Sequence, residues 1–401
     1  MINAEILRIL NSPLGKEALS IAQASEPSDA DFLPLFQKIA RQFPEPLARA
    51  AVEQSILRRR AVAKFEAADR MFFSREALEQ ATPEAVAQHR TQRFTDYARI
   101  FDLGCGMGGD TLAFANTAPV VAVDRDRERL LLLGANVRSL HIQNAVMLVQ
   151  ADLRYPAWRI SATSAVFVDP ARRKFGRRAR SIHAYEPSIH ETLAHLSHVP
   201  ALAIKVSPAV SMQELSRYDC EVEFVSWKGQ LKEATLWFRA FKTTTRRATV
   251  LPGPHSLCDE IEPEPSITAP RRYLYEPDPS VLRAGLVRQL GHMLGASQID
   301  PEIAFLTSDE LRETPFARGY LVELVLPFGL KTLRKTLRER DVGRVTLIKR
   351  GSAIDVETFT RRLRLRGDNN ATVILTQHAG RPIAILAQPI RTLEHVVSDS
   401  T

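Results

Sequence analysis

Hydrophobic spacing divides the 401-residue chain into four stretches of different texture. Through residues 1–95, DADFLPLFQKIARQF and PLARAAVEQSILRRRAVAKFEAADRMFF place apolar residues every three or four positions, which predicts packed helices. TPEAVAQHRTQRF continues the pattern, with Thr82 predicted as the N-cap and Pro83 at the first helical position. Residues 96–243 switch to short apolar runs separated by helical segments: ARIFDL, PVVAVD, AVMLVQAD, SAVFVDP and PALAIKVSP read as strands. That alternation predicts an α/β fold built on a parallel sheet, and EFVSW with LKEATLWF, separated by KGQ, adds an antiparallel hairpin. Residues 244–279 carry many prolines and mixed charges and read as a linker.

The remainder, residues 280–401, reads as a small α+β domain. DPSVLRAGLVRQLGHML predicts a helix entering it, capped by Asp278 or Ser280, with Leu282, Leu286, Leu290 and Leu294 on one face. YLVELVLPF, GLKTLRKTLRERD, GRVTLIKRG, DVETFTRRLRLRG and the pair ATVILTQ and PIAILAQPI then follow in the order β-α-β-α-β-β, with Gly367 ending the second helix. Leu333, Leu337, Val356, Phe359 and Leu363 form the inward faces and leave most of the bases outside.

The stretch FDLGCGMGGD, Phe101 to Asp110, is a strand, a tight turn and a helix start. Gly104, Gly106 and Gly108 remove side chains where backbone approaches a ligand, and the helix behind them offers free N–H groups, so a nucleotide-like cofactor is expected. Its glycines satisfy both G-x-G-x-x-G and D-x-G-x-G. Asp102 would repel a pyrophosphate but suits the cationic sulfonium and ammonium of S-adenosylmethionine. Asp124 ends the second strand where a carboxylate can accept ribose hydroxyls, Asp152 ends the third within reach of an adenine amino group, and Asp169 with Pro170 ends the fourth. Three strand-end carboxylates followed by Asp-Pro resemble class I S-adenosylmethionine-dependent methyltransferases, which implies a Rossmann-like core and that cofactor.

Charge adds a partner to this picture. The net charge is +8, and residues 331–366 alone hold twelve Lys/Arg against four Asp/Glu. RRKFGRRAR, with Arg172, Arg173, Lys174, Arg177 and Arg178, follows the Asp-Pro directly. Either run alone reads as a solvated face; together with Arg361, Arg362, Arg364 and Arg366 they point to a polyanion such as RNA. Cys105, Cys220 and Cys258 are widely spaced, the histidines lack ligand spacing, and no apolar run is long enough to span a membrane. MINAEILRIL lacks a signal-peptide layout, so no metal, no membrane and a cytoplasmic location are expected.

The order of parts, with VDPARR, LYEPDPSVLRAGL, TPFARGY and KRGSAIDVETFTRRLRLRG, is similar to a bacterial family of class I methyltransferases carrying a C-terminal THUMP-like domain. That resemblance implies tRNA, rRNA or another structured RNA as substrate. Asp169-Pro170 is similar to the opening of the N/D-P-P-Y/F motif of amino-methyltransferases, although Ala171 and Arg172 stand where the second proline and the aromatic would be. Lys64, Asp169, Lys205 and Glu233 follow the order of the tetrad of ribose 2′-O-methyltransferases, in which the central lysine removes a proton. A base nitrogen is the favoured acceptor and the ribose hydroxyl the alternative. A non-catalytic RNA-binding protein is opposed by the intact Asp102, Asp124, Asp152 and Asp169. A small-molecule or protein methyltransferase leaves the basic appendage without an evident use.

Overall fold

A computed structural model describes residues 3–155, 160–171, 173–174, 177–178, 181–351 and 354–390. The chain separates into two compact units, Met1–Glu221 with Glu233–Thr243, and Val222–Lys232 with Thr244–Thr401. Among the described residues between 99 and 239, seven strands belong to the large sheet: β1 (Arg99–Leu103), β2 (Val120–Asp124), β3 (Val146–Gln150), β4 (Ser164–Val168), β5 (Ala201–Val206), β6 (Cys220–Trp227) and β7 (Gln230–Arg239). In the first unit the order is β7-β5-β4-β1-β2-β3, parallel throughout except for β7, which runs antiparallel to β5. The continuous apolar run of β4 is explained by burial along its whole length. Chain order runs outward in opposite directions from the β1–β4 pair, so a crevice opens at their carboxyl ends, where sheets of this kind bind ligands.

The N-terminal helices do not form a unit of their own. Leu57, Phe65, Phe72 and Phe73 share one hydrophobic cluster with Met107 and with Leu132 and Ala135 of the helix Arg127–Ser139. On that helix the buried Asn136 accepts from the Phe72 N–H at 2.7 Å and donates to the Phe72 carbonyl at 3.2 Å. The change of texture near residue 95 therefore marks a change of element type inside one core. Thr82 is not the helix cap that its sequence position suggested: Pro83 occupies the N-cap of Glu84–Thr91, and the Thr82 side chain is engaged elsewhere.

In the second unit, residues 244–279 hold strands where a linker was expected: β8 (Arg246–Leu251), β9 (His255–Cys258) and β10 (Tyr273–Pro277). Asp259 organises this stretch by accepting from the Arg246 backbone at 2.9 Å and from its guanidinium at 3.0 Å. β6 and β8 pair in parallel and β9 pairs antiparallel with β8. The helix expected to run from Asp278 breaks at Gly285, which adopts a φ of 68°, giving Pro279–Ala284 and Val287–Leu294. Asp278 is the cap, accepting from the Ser280 N–H at 2.8 Å.

A second sheet follows, built of β10 with β11 (Ser297–Gln298), β12 (Leu306–Ser308), β13 (Ala317–Pro327), β14 (Val342–Lys349), β15 (Asn369–His378) and β16 (Arg381–Pro389), in the order β11-β12-β10-β13-β16-β15-β14. Helices Leu330–Glu339 and Val356–Leu363 bury Leu333, Leu337, Phe359 and Leu363 against it, as the spacing predicted. The second helix stops at Leu363, with Arg364 left-handed at φ 50°, three residues before Gly367. Arg334 and Arg338 of the first helix donate to the Arg362 and Arg364 carbonyls at 2.5 and 3.0 Å, supplying donors that the early ending requires.

Replacing Asn136 with alanine strands the buried Phe72 amide, at a cost of about 1 to 3 kcal/mol. Urea unfolding of Asn136→Ala is expected to show a lower midpoint at an unchanged m-value, with the N-terminal helices melting in the same transition as the sheet. Separate melting of the two would overturn the shared core.

Candidate active site

The glycine turn sits at the carboxyl end of β1 and is tied to both neighbouring strands. The Gly104 and Cys105 amides donate to the Val123 carbonyl at 2.8 and 3.0 Å, and the Asp169 amide donates to the Leu103 carbonyl at 2.8 Å. Gly104 has a φ of 89°, and a Cβ there would lie 2.3 Å from the Asp169 carbonyl oxygen, so the crossing admits no other residue. Gly106 donates to Oδ2 of Asp124 at 2.9 Å, and a Cβ on it would meet nothing within 4 Å. Asp124 also accepts from the Asp126 amide at 2.9 Å, so one carboxylate shapes the turn and starts the next helix.

Asp102 is buried beneath the turn. Its Oδ2 accepts from the Thr111 hydroxyl at 2.5 Å, while Oδ1 meets no donor among the described residues. Burial pushes its pKa up to about 7, with the nearby Asp169 adding to the effect and Thr111, Arg90 and Lys205 opposing it. Asp152 is the opposite case. Arg154 donates to it from the guanidinium at 2.6 Å and from the backbone at 3.0 Å, holding its pKa down to about 2.

On the acceptor side, Lys205 extends from β5, with Nζ donating to Asp169 Oδ2 at 2.8 Å and to the Thr82 hydroxyl at 2.7 Å. Thr82 in turn donates to Asp110 Oδ2 at 2.7 Å, and Asp110 also pairs with the guanidinium of Arg90. Arg90, 2% exposed, bridges Asp110 to Glu233 and lies 4.3 Å from the centroid of the Phe167 ring. Asp169 is the most exposed carboxylate of the group, its side chain 25% accessible.

The sequence-derived residues are brought together only in part. Asp169 and Lys205 meet, but Glu233 engages Arg90 and the Thr235 hydroxyl. Lys64 donates to the carbonyls of Leu78, Glu79 and Ala81 at 2.8 to 3.0 Å, around the end of a helix. The four-residue tetrad is therefore not assembled. Arg90, Thr82 and Asp110 went unrecognised in the sequence, although two signals existed. Arg90 falls on the apolar face of its helix with Val86 and Ala87, and Asp110 closes the glycine stretch.

Pro170 is buried, and the Ala171 backbone exchanges hydrogen bonds of 3.1 Å with Glu186. Arg172 lies outside the described residues, and the backbone of Arg173–Lys174 runs antiparallel to that of Arg177–Arg178. Arg361, Arg362, Arg364 and Arg366 are exposed. A cleft of about 570 Å³ lined by Gly343, Arg344, Thr346, Arg361, Arg364 and Asn370 lies within the second unit. Among the described residues no group of three His, Cys, Asp or Glu side chains is placed to hold a metal, and no helix is long and apolar enough to cross a membrane.

The described site fits a cationic cofactor: Asp102 offers a buried oxygen without a protein donor, and Gly106 leaves its side of the turn open. Residues 97–190 match the family of RNA cap guanine-N2 methyltransferases, residues 317–389 the THUMP domain-like family, and residues 4–61 a domain of unknown function. The chain is 33% identical over 337 residues to an uncharacterized S-adenosylmethionine-dependent methyltransferase of Mycobacterium tuberculosis (strain CDC 1551 / Oshkosh), covering 81% of this chain and 92% of the relative. The same values hold for the protein of strain H37Rv. A crystal structure of a methyltransferase from Porphyromonas gingivalis W83 shares the fold, with a TM-score of 0.73 at 19% identity over 94% of this chain and 99% of that one. By its glycine turn and its identity over most of its length, the chain belongs to a family of S-adenosylmethionine-dependent methyltransferases, with that compound as cofactor and a THUMP-like domain after the catalytic core.

Proposed function

We propose that this methyltransferase modifies an exocyclic base nitrogen of structured RNA, tRNA or rRNA. The observation carrying the reading is Asp169 at the β4 end, part-exposed and held by Lys205 at 2.8 Å. When bound, S-adenosylmethionine supplies a methyl group on a cationic sulfur. Asp102 would face its positive charge, Asp124 would accept from the ribose, and Asp152, which Arg154 holds ionised, would accept from the adenine amino group. Asp169 and the Pro170 carbonyl accept from the two N–H bonds of the target amine, aiming the nitrogen lone pair at the methyl group. Asp169 then holds the proton that leaves the nitrogen. Lys205 is committed as a donor to Asp169 and Thr82, which suits a residue orienting that carboxylate better than one removing a ribose proton.

Two similarities support the choice of acceptor and partner. The family matched by residues 97–190 is described by guanine N2, an exocyclic amine, and THUMP-like residues 317–389 carry the exposed arginines. Arg361, Arg362, Arg364 and Arg366, with Arg172, Arg173, Lys174, Arg177 and Arg178, are proposed to meet phosphate.

A pKa near 7 leaves roughly a tenth of Asp102 ionised at pH 6 and nine tenths at pH 8. Calorimetry is expected to find that the ratio of wild-type to Asp102→Asn affinity for S-adenosylmethionine rises severalfold over that range. Because folding raises this pKa above the ordinary carboxylate value, Asp102 costs the unliganded protein stability as pH climbs from about 4 to 7, and Asp102→Asn escapes that loss. A constant affinity ratio would remove Asp102 from the cofactor's charge.

For the acceptor, nucleoside mass spectrometry on RNA from a deletion strain carrying each variant is decisive. Asp169→Ala is expected to cut the modified base by 10² or more, and Lys205→Met by roughly tenfold, with cofactor binding retained in both. Alkali-resistant dinucleotides in place of a methylated base would make the product 2′-O-methyl ribose instead.

Neutralising Arg361, Arg362, Arg364 and Arg366 together is expected to flatten the dependence of log K on log salt by up to about 3.6, at roughly 0.7 to 0.9 for each phosphate met. An unchanged slope would leave these arginines as a solvated surface.

A further inference from the structure

The tip of the β6–β7 hairpin carries a cluster that the cofactor site and the arginine run leave unexplained. β6 is buried from Cys220 to Ser226, and its last residue, Trp227, emerges half-exposed. Lys228 and Gly229 turn the chain with φ values of 51° and 69°, the paired positive angles of a tight hairpin turn. The Lys228 amide donates to the Leu251 carbonyl at 3.0 Å, which fixes the tip to β8. The ammonium groups of Lys228 and Lys232 lie 5.1 and 5.4 Å from the Trp227 ring centroid. A third cation joins them, because a Cβ built on Gly229 would lie 3.0 Å from a guanidinium nitrogen of Arg318.

Among the described residues no carboxylate forms an ion pair with Lys228, Lys232 or Arg318. Glu276, the cross-strand neighbour of Arg318, is committed to the Tyr320 hydroxyl at 3.0 Å and to Arg350 at 3.4 Å. No aromatic ring packs on Trp227 among the described residues, whereas Trp237 lies in a cluster with Phe94 and Phe241. A partly exposed indole flanked by Lys228 and Lys232, with Arg318 beside the adjoining Gly229 and Lys232 bonded only to the neutral Gln230 side chain at 2.8 Å, has two needs: a flat apolar partner and negative charge. A nucleotide in a single-stranded stretch supplies both, its base stacking on the indole and its phosphates meeting the cations.

We infer that the hairpin tip formed by Trp227, Lys228, Lys232 and Arg318 is an RNA-contact site that stacks one unpaired base. The inference rests on the RNA reading above and adds to it a surface in addition to the arginine-rich helix. Lysine stems are flexible, so a base reaching the indole displaces an ammonium group toward the adjoining phosphate.

The test uses the full chain with two probes, bulk tRNA and a fluorescein-labelled dodecamer of oligoadenylate. Wild-type protein is expected to bind both. Trp227→Ala should weaken oligoadenylate binding by roughly 5- to 150-fold, the range for removal of one stack, without changing the salt slope. Trp227→Phe, which keeps a ring, should recover most of the affinity, and this guards against a misfolded alanine variant. Lys228→Gln with Lys232→Gln should instead flatten the slope, by about 0.7 for each phosphate no longer neutralised. Binding by wild type with equal affinity in Trp227→Ala would overturn the tip site and leave the RNA reading standing. Failure of wild type to bind either probe would overturn both. Equal weakening by Trp227→Ala of binding to inorganic polyphosphate, which has no base to stack, would reduce the tip to a charge patch and also overturn the inference.

Discussion

The first unit depends on one buried cation. Arg90 sits in the interior between Asp110 and Glu233, against Phe167, where an unpaired charge would cost several kcal/mol. Through Asp110 it fixes Thr82, through Thr82 it fixes Lys205, and through Lys205 it fixes the carboxylate at the end of β4. Four acids, Asp102, Asp110, Asp169 and Glu233, thus share two bases, Arg90 and Lys205. Of the four, Asp102 is the most deeply buried and has no base of its own among the described residues, and burial, helped by the nearby Asp169, pushes its pKa up to about 7. In the proposed site, the Asp102 oxygen that meets no donor among the described residues would receive the positive charge of the cofactor.

Much of this was legible in the sequence, because strands and tight turns impose local rules. Each strand-end carboxylate follows a short apolar run, and Gly104 must be glycine where the chain crosses the Asp169 backbone. The alternation of texture predicts a parallel sheet with a terminal antiparallel hairpin, and β7 does run antiparallel to β5. What stayed hidden depends on partners distant in sequence. Thr82 has the composition and position of a helix cap, and only the fold reveals that its hydroxyl is spent on Asp110 and Lys205. Glu233 and Lys205 are both polar residues in apolar strands, which invited their pairing, but an arginine 143 residues upstream of Glu233 claims it first.

The same distinction explains the differences elsewhere. Proline-rich residues 244–279 lack clean alternation, yet Asp259 gathers the Arg246 backbone and side chain and lets β8 and β9 pair. The leucine spacing after Asp278 carries no break, since Gly285 interrupts the helix by its backbone angle and leaves the apolar face legible on both sides. In the THUMP-like region the inward positions follow from the spacing because the helices there are short and strongly two-faced.

The sequence separation of Arg90 and Glu233 bears on how the chain is made. During synthesis the N-terminal helices leave the ribosome well before β7, and 143 residues must follow Arg90 before its second carboxylate exists. Until then a closed core would hold a guanidinium with half its compensation, which disfavours closing it. The pairing also joins segments far apart along the chain, a topology that closes more slowly than one built from local contacts.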